Sequence, residues 1–160
     1  MQKIMIVSDT HRKHENLKEA LKKEQPIDML IHLGDAEGEE DYIRELCDCE
    51  VKIIAGNNDF FSDLSKEETC KLGIYNVLLT HGHYYYISVG LETLRQEVKG
   101  REIDIAMFGH THRPVIEIND DVILINPGSI SYPRQEGLHP TYIIMEIDDA
   151  GKAAFTLKSV

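Results

Sequence analysis

Five short apolar runs along the chain each end in a cluster of His, Asp, Asn or Gly. They are residues 3–7 before Ser8-Asp9-Thr10-His11, 28–33 before Gly34-Asp35, 51–55 before Gly56-Asn57-Asn58-Asp59, 76–79 before Thr80-His81-Gly82-His83, and 103–108 before Gly109-His110-Thr111-His112. Runs this short, bounded by turn residues, predict buried strands. Between them the period changes. Residues 15–24 place Leu17, Ala20 and Leu21 on one face at helical spacing. Residues 39–47 do the same with Tyr42, Ile43, Leu46 and Cys47, and 89–99 with Leu91, Leu94 and Val98 ahead of a stop at Gly100.

The first half thus reads strand, helix, strand, helix, strand, which calls for parallel pairing through right-handed crossovers. After His112 the texture changes. Residues 115–118 and 122–125 flank Asn119-Asp120-Asp121, and 141–147 and 153–157 flank a second polar turn at 148–152. Both are hairpin signals, so the back half reads as antiparallel. Residues 60–71 read as a surface loop, and Tyr84-Tyr85-Tyr86 as a strand packed on both faces. The expected fold class is α/β (α+β): a sandwich of mixed β-sheets flanked by helices, formed by residues 1–160 as a single domain.

Composition narrows the partners. The 160 residues carry 17 Lys and Arg against 28 Asp and Glu, a net charge of −11. That surplus argues against a nucleic-acid backbone as a stable partner and against an anionic membrane. A small phosphorylated substrate stays compatible, because bound cations can reverse the charge of one cleft. Hydrophobic residues make up 42 %, enough for a sizeable core. No apolar run approaches the about 20 residues of a membrane span, and no signal stretch precedes the first strand. Three cysteines fit no disulfide framework, and Cys47, Cys49 and Cys70 are one thiol short of a four-cysteine zinc site. The expectation is a cytoplasmic protein with free thiols.

The strand-end clusters carry the chemistry. In open α/β sheets, ligands gather beyond the carboxyl ends of the strands. Asp9, His11, Asp35, Asn57, His81, His110 and His112 offer oxygen and imidazole nitrogen there, and no thiolate. That donor set suits Mn²⁺, Fe²⁺, Co²⁺, Ni²⁺ or Zn²⁺. Seven donors are too many for one catalytic ion with open positions and about right for two. Taken singly, each motif has a plainer reading: Asp9 as a cap or turn residue, and Gly56-Asn57-Asn58-Asp59 as turn chemistry. Asp59 reads as a structural residue that holds the loop or orients a neighbouring ligand. His32, His14, His139 and Arg113 read as ordinary strand or surface residues, and the turn 126–129 as a shaper of the rim. It is the five clusters together that outweigh these readings.

Asp-x-His, Gly-Asp, Gly-Asn-x-Asp, Gly-His and Gly-His-Thr-His, in that order, resemble the calcineurin-like metallophosphoesterases. Ile125-Asn126-Pro127-Gly128-Ser129, followed by Pro133-Arg134, resembles their small YfcE/MJ0936-type phosphodiesterase branch, to which Vps29 is related. The resemblance implies a two-sheet metallophosphoesterase sandwich with the active site at the strand carboxyl ends. It implies that Asp9, His11 and His112 hold one ion, that Asn57, His81 and His110 hold the other, and that Asp35 bridges them. Two divalent ions, with Mn²⁺ the first choice, would turn a bridging water into a hydroxide that attacks a small phosphodiester. Where many members carry His after Gly-Asn, this chain carries Asn58. Loss of a general acid costs about 10²–10⁴ in rate. Asn58, as a hydrogen-bond donor to phosphate, and His83, as a phosphate contact or proton source, are therefore the catalytic candidates. The resemblance also allows a homo-oligomer, and a Vps29-like scaffold with little turnover as the alternative.

Overall fold

Alternate residues of β1 (Gln2–Val7) serve two different cores. Ile4 and Ile6 point into an inner layer shared with Val77, Leu79, Ile105, Met107 and Ile125. Met5 and Val7 point the other way, against Leu17, Ala20 and Leu21 of α1 (Glu15–Glu24). A strand buried on both faces needs a continuous apolar run, which is why this one shows no alternation. The computed structural model describes residues 1–160.

The remaining elements are β2 (Met29–His32), α2 (Glu40–Glu45), β3 (Glu50–Ile53), β4 (Glu67–Leu72), β5 (Tyr75–Thr80), α3 (Glu92–Gly100), β6 (Ile105–Met107), β7 (Pro114–Ile118), β8 (Ile123–Pro127), β9 (Thr141–Ile147) and β10 (Ala153–Ser159). Two five-stranded mixed sheets form, in the orders β10-β9-β1-β2-β3 and β4-β5-β6-β8-β7. Their inner faces meet in the central core. The outer face of the second sheet, with Leu78, Ala106 and Leu124, is covered by Leu94 and Val98 of α3. Each fully buried Ile or Leu contributes roughly 1.5–3 kcal/mol. The expected mixed sandwich flanked by helices is what forms.

Four expectations need correction. Residues 67–72 are not loop but the edge strand β4, antiparallel to β5. Its Glu, Thr and Lys residues suit an edge and hide the apolar signal that central strands show. Tyr84-Tyr85-Tyr86 is not a strand: residues His83–Tyr85 form a 3₁₀ turn between left-handed Gly82 and Tyr86. The two hairpins after His112 form, β7 antiparallel to β8 and β9 antiparallel to β10, but the back half is not wholly antiparallel, since β8 also runs parallel to β6. His14 is buried, packed against the Tyr42 ring, rather than on the surface.

Candidate metal centre

The loops after β1, β2, β5 and β6 are stitched to one another before any side chain is considered. Asp9 N–H donates to the Gly34 carbonyl at 3.0 Å, His11 N–H to the Asp35 carbonyl at 2.9 Å, and Gly109 N–H to the His81 carbonyl at 3.1 Å. Asp9, His11, Asp35, His110 and His112 all have left-handed backbones, with φ between 46° and 70°. For residues other than glycine this costs on the order of 1 kcal/mol each and persists only where surroundings enforce it. Here it folds the side chains back over the sheet ends. Gly56 is required beside Asp35, because a Cβ there would meet the carboxylate.

Two groups of donors result. Asp9, His11 and His112 form one; Asp9, Asp35 and His81 form the other. Asp9 Oδ1 lies 3.2 Å from His112 Nε2, 3.6 Å from His11 Nε2 and 3.8 Å from His81 Nε2. Asp35 Oδ2 lies 3.3 Å from His81 Nε2 and 3.7 Å from His11 Nε2, so it too faces a histidine of each group. His110 and Asn57 meet each other next to the second group. The His110 ring is 5.2 Å from the His81 ring, and its Nδ1 meets Asn57 Oδ1 at 3.1 Å. The His83 ring lies 5.5 Å from His81 and 5.9 Å from His110. Asn58 is turned to Asp35, donating from its backbone N–H at 2.8 Å and from its side-chain amide at 2.9 Å.

A second layer sets ring orientation and tautomer. His81 donates from Nδ1 to the Leu33 carbonyl at 2.7 Å, and His112 from Nδ1 to the Tyr132 carbonyl at 2.6 Å. Glu37 receives the Nδ1 side of His11 at 3.2 Å. In each neutral ring the Nε2 lone pair then faces the carboxylates. Asp59 accepts from Asp35 N–H at 2.7 Å, Gly56 N–H at 2.6 Å and Glu37 N–H at 2.6 Å, clamping two loops together. Asn126 donates to the Gly109 carbonyl at 3.0 Å and to Thr111 Oγ1 at 3.1 Å. Ser129 Oγ donates to the Asp9 carbonyl at 2.8 Å. His32, wholly buried, accepts from Gly34 N–H and bonds Thr10 Oγ1 at 3.0 Å, and burial holds its pKa down at about 4. Glu37, His32 and the Tyr132 carbonyl were not legible as site elements. Only the Glu37 carboxylate carried any signal, three residues after Gly34.

The electrostatics suit a cation. Burial works to raise the Asp9 carboxyl, but His11, His112 and His81 outweigh it and hold it well below the usual carboxylate range. Burial disfavours the charged His81 imidazole, yet Asp35 and Asp9 lift it to about 9. Asp9 Oδ1 and His81 Nε2 are buried with no hydrogen-bond partner. Orphaned acceptors of this kind cost free energy unless a cation or water completes them. The residues present therefore fit bound divalent metal.

Comparison with known proteins agrees with this chemistry. Residues 2–150 match the calcineurin-like phosphoesterase superfamily domain. The probable metallophosphoesterase YsnB of Bacillus subtilis is 31 % identical over 153 residues, spanning 95 % of this chain and 89 % of that protein. The phosphodiesterase MJ0936 of Methanocaldococcus jannaschii is 31 % identical over 144 residues, spanning 79 % of this chain and 82 % of that protein. The wild-type Vps29 of Entamoeba histolytica, solved in complex with Zn²⁺, superposes with a TM-score of 0.78 over 99 % of each chain, and at 21 % identity it shows the shared fold. No helix of this chain is long and apolar enough to cross a membrane. On its strand-end donors, its two mixed sheets and its match over residues 2–150, the chain belongs to the calcineurin-like phosphoesterase superfamily.

Proposed function

We propose that this chain is a metal-dependent phosphoric ester hydrolase that acts on small phosphodiesters. The observation that carries the reading is the pair of donor groups sharing Asp9, with Asp9 Oδ1 and His81 Nε2 buried and unpartnered. Asp9, His11 and His112 would hold one divalent cation, and Asp35 and His81, joined by Asn57 and His110, the other. Asp35 would bridge, as its Oδ2 faces both His11 and His81. The oxygen and imidazole donors suit Mn²⁺, Fe²⁺, Co²⁺, Ni²⁺ or Zn²⁺, with Mn²⁺ the first to test. When bound, such a pair supplies Lewis acidity to the phosphoryl oxygens and acidifies water.

The protein's own groups position and exclude. Asn58 holds Asp35 with one amide N–H and keeps its other N–H for a phosphoryl oxygen. His83 lies beside His81 and His110 with its Nδ1 unpartnered, aligned with the role of phosphate contact or proton donor to the leaving oxygen. Burial, then the charges of His81 and His110, lower its pKa, which favours a neutral ring that donates a hydrogen bond to phosphate over an imidazolium that protonates the leaving oxygen. Asp59 keeps the Asp35 loop in register with the Gly56 turn.

The test is reconstitution. Metal is stripped with a chelator, each of the five cations is restored in turn, and nitrophenolate release from an activated aryl phosphodiester is followed. Cation-dependent release, lost in Asp35→Asn and His81→Ala, is the expected result. Tight cation binding with no release from any ester would favour the scaffold reading, which the shared fold with Vps29 supports.

A further inference from the structure

Two arginines beside the last metal-binding turn stand unpaired. In a chain of net charge −11, Arg95 and Arg101 are spent on carboxylates, and Arg12 on the Glu37 carbonyl. Arg44, Arg113 and Arg134 make no side-chain ion pair; Arg44 sits alone on α2, whereas Arg113 and Arg134 together line a cavity of about 450 Å³. Ile87, Leu91 and Phe108 form its apolar side, and Thr111 adds a hydroxyl fixed by Asn126 at 3.1 Å. None of its eight lining residues is acidic. Half-apolar walls with a few convergent polar groups, at this volume, are the make-up of a small-molecule site.

The cavity is tied to the metal centre. Arg113 directly follows His112, and Arg134 N–H donates to the His112 carbonyl at 3.0 Å. Arg134 also lines the neighbouring cavity, about 720 Å³, whose wall includes His11 and His112. Glu37 is the acidic member of that second wall, and its carboxylate is turned to His11 Nδ1 rather than to the arginine.

We infer that the Arg113–Arg134 cavity is a substrate subsite, which rests on the hydrolase reading above and names its substrate class. It takes the second ester arm of the phosphodiester, an apolar body ending in its own negative charge, a carboxylate or phosphate. The apolar side receives the body, and the two guanidiniums receive the charge in the forked geometry that suits either anion. Hydrolysis then breaks the other ester bond, water supplying the hydroxyl to phosphorus and the proton to the departing alcohol.

The test uses two esters that share a 4-nitrophenolate leaving group. One is 4-nitrophenyl 4-carboxyphenyl phosphate; the other carries a neutral 4-carbamoylphenyl arm of the same shape. With the Mn²⁺-loaded full chain, the charged arm is expected to raise kcat/KM about tenfold, the scale of two partly exposed guanidinium contacts. That ratio is expected to fall toward one in the double variant Arg113→Gln/Arg134→Gln and to persist in Arg44→Gln, whose site lies on α2 away from both cavities. A wild-type ratio near one, or a ratio that survives in the double variant, overturns the subsite. If neither ester is turned over with any of the five cations, the hydrolase reading fails, and titration of ¹⁵N-labelled chain with 4-carboxyphenyl phosphate decides the subsite. Movement of the Arg113 and Arg134 Nε–H resonances upholds it, and unmoved resonances overturn it.

Discussion

His112 donates from Nδ1 to the carbonyl of Tyr132, 2.6 Å away, and the same ring presents Nε2 to Asp9 Oδ1 at 3.2 Å. A backbone oxygen twenty residues along the chain thus sets which nitrogen of a candidate ligand is free. The loop that supplies it is held by Ser129, whose Oγ accepts from Tyr132 N–H at 2.7 Å and donates to the Asp9 carbonyl at 2.8 Å.

Ser129→Ala removes that buried junction while leaving every candidate ligand in place. Cation affinity is expected to fall about 10–100-fold, the range for loss of an outer-shell partner. Stability is expected to fall by about 1–3 kcal/mol, as for an unsatisfied buried group. Calorimetric titration with Mn²⁺ and urea unfolding of the apo chain measure the two effects separately. Unchanged affinity would show that the loop does not orient His112.

Gly56→Ala places a methyl group against the Asp35 carboxylate and 2.6 Å from its backbone nitrogen. Neither can move without breaking the Asn58 and Asp59 contacts. Cation affinity is expected to fall at least about tenfold, with about 1–3 kcal/mol of strain. Gly100→Ala, in the last turn of α3 with nothing within 4 Å of the added carbon, is the control and is expected to be neutral or stabilising by up to about 1 kcal/mol.

Cation binding to the folded chain is expected to raise the melting temperature. At a cation concentration about 100 times Kd the gain is about 2.7 kcal/mol, or roughly 5–10 °C for a domain of this size. A chelator should reverse it. Asp9→Asn should diminish it, because Asp9 Oδ1 lies within 3.8 Å of His11, His112 and His81. Scanning calorimetry with and without Mn²⁺ reads the shift, and an equal shift in the variant would remove Asp9 from the site.

Acid stability should depend on Glu24, far from the metal centre. Burial alone would raise its carboxyl, but Lys158, Lys3 and Tyr142 bring it down to about 2 from an ordinary 4.5. Lys158 Nζ and Tyr142 Oη each donate to Oε1 at 2.8 Å, and Lys3 Nζ lies 2.9 Å from Oε2. A carboxyl depressed by folding adds stability above its unfolded pKa and loses it as pH falls. The loss should run from about 4.5 down to about 2. Discounted for the partly exposed lysines, it is on the order of 2 kcal/mol. Urea midpoints across that window should converge for wild type and Glu24→Gln as the pH falls. Parallel curves would show that Glu24 keeps its ordinary pKa.

The strand-end residues were legible because their chemistry is wrong for a core. Asp9, Asp35, His81 and His112 are nevertheless buried, and a buried polar residue after an apolar run needs a partner. β4 was not legible, since an edge strand of Glu, Thr and Lys shows no apolar period until β5 pairs with it. His32 and Arg113 looked ordinary. One is a buried link between Thr10 and Gly34, and the other lines a cavity only once β7 leads away from His112.

The order of apolar runs and polar clusters already determined the layered fold, the donor chemistry and the family, because local periodicity and residue type are properties of short segments. What only the tertiary structure decided is which donors share a site. It put Asp9 in both groups, set His110 against Asn57, and turned Asn58 toward Asp35. The reason is geometric: the left-handed turns that aim these side chains are unfavourable alone, and long-range hydrogen bonds between loops impose them.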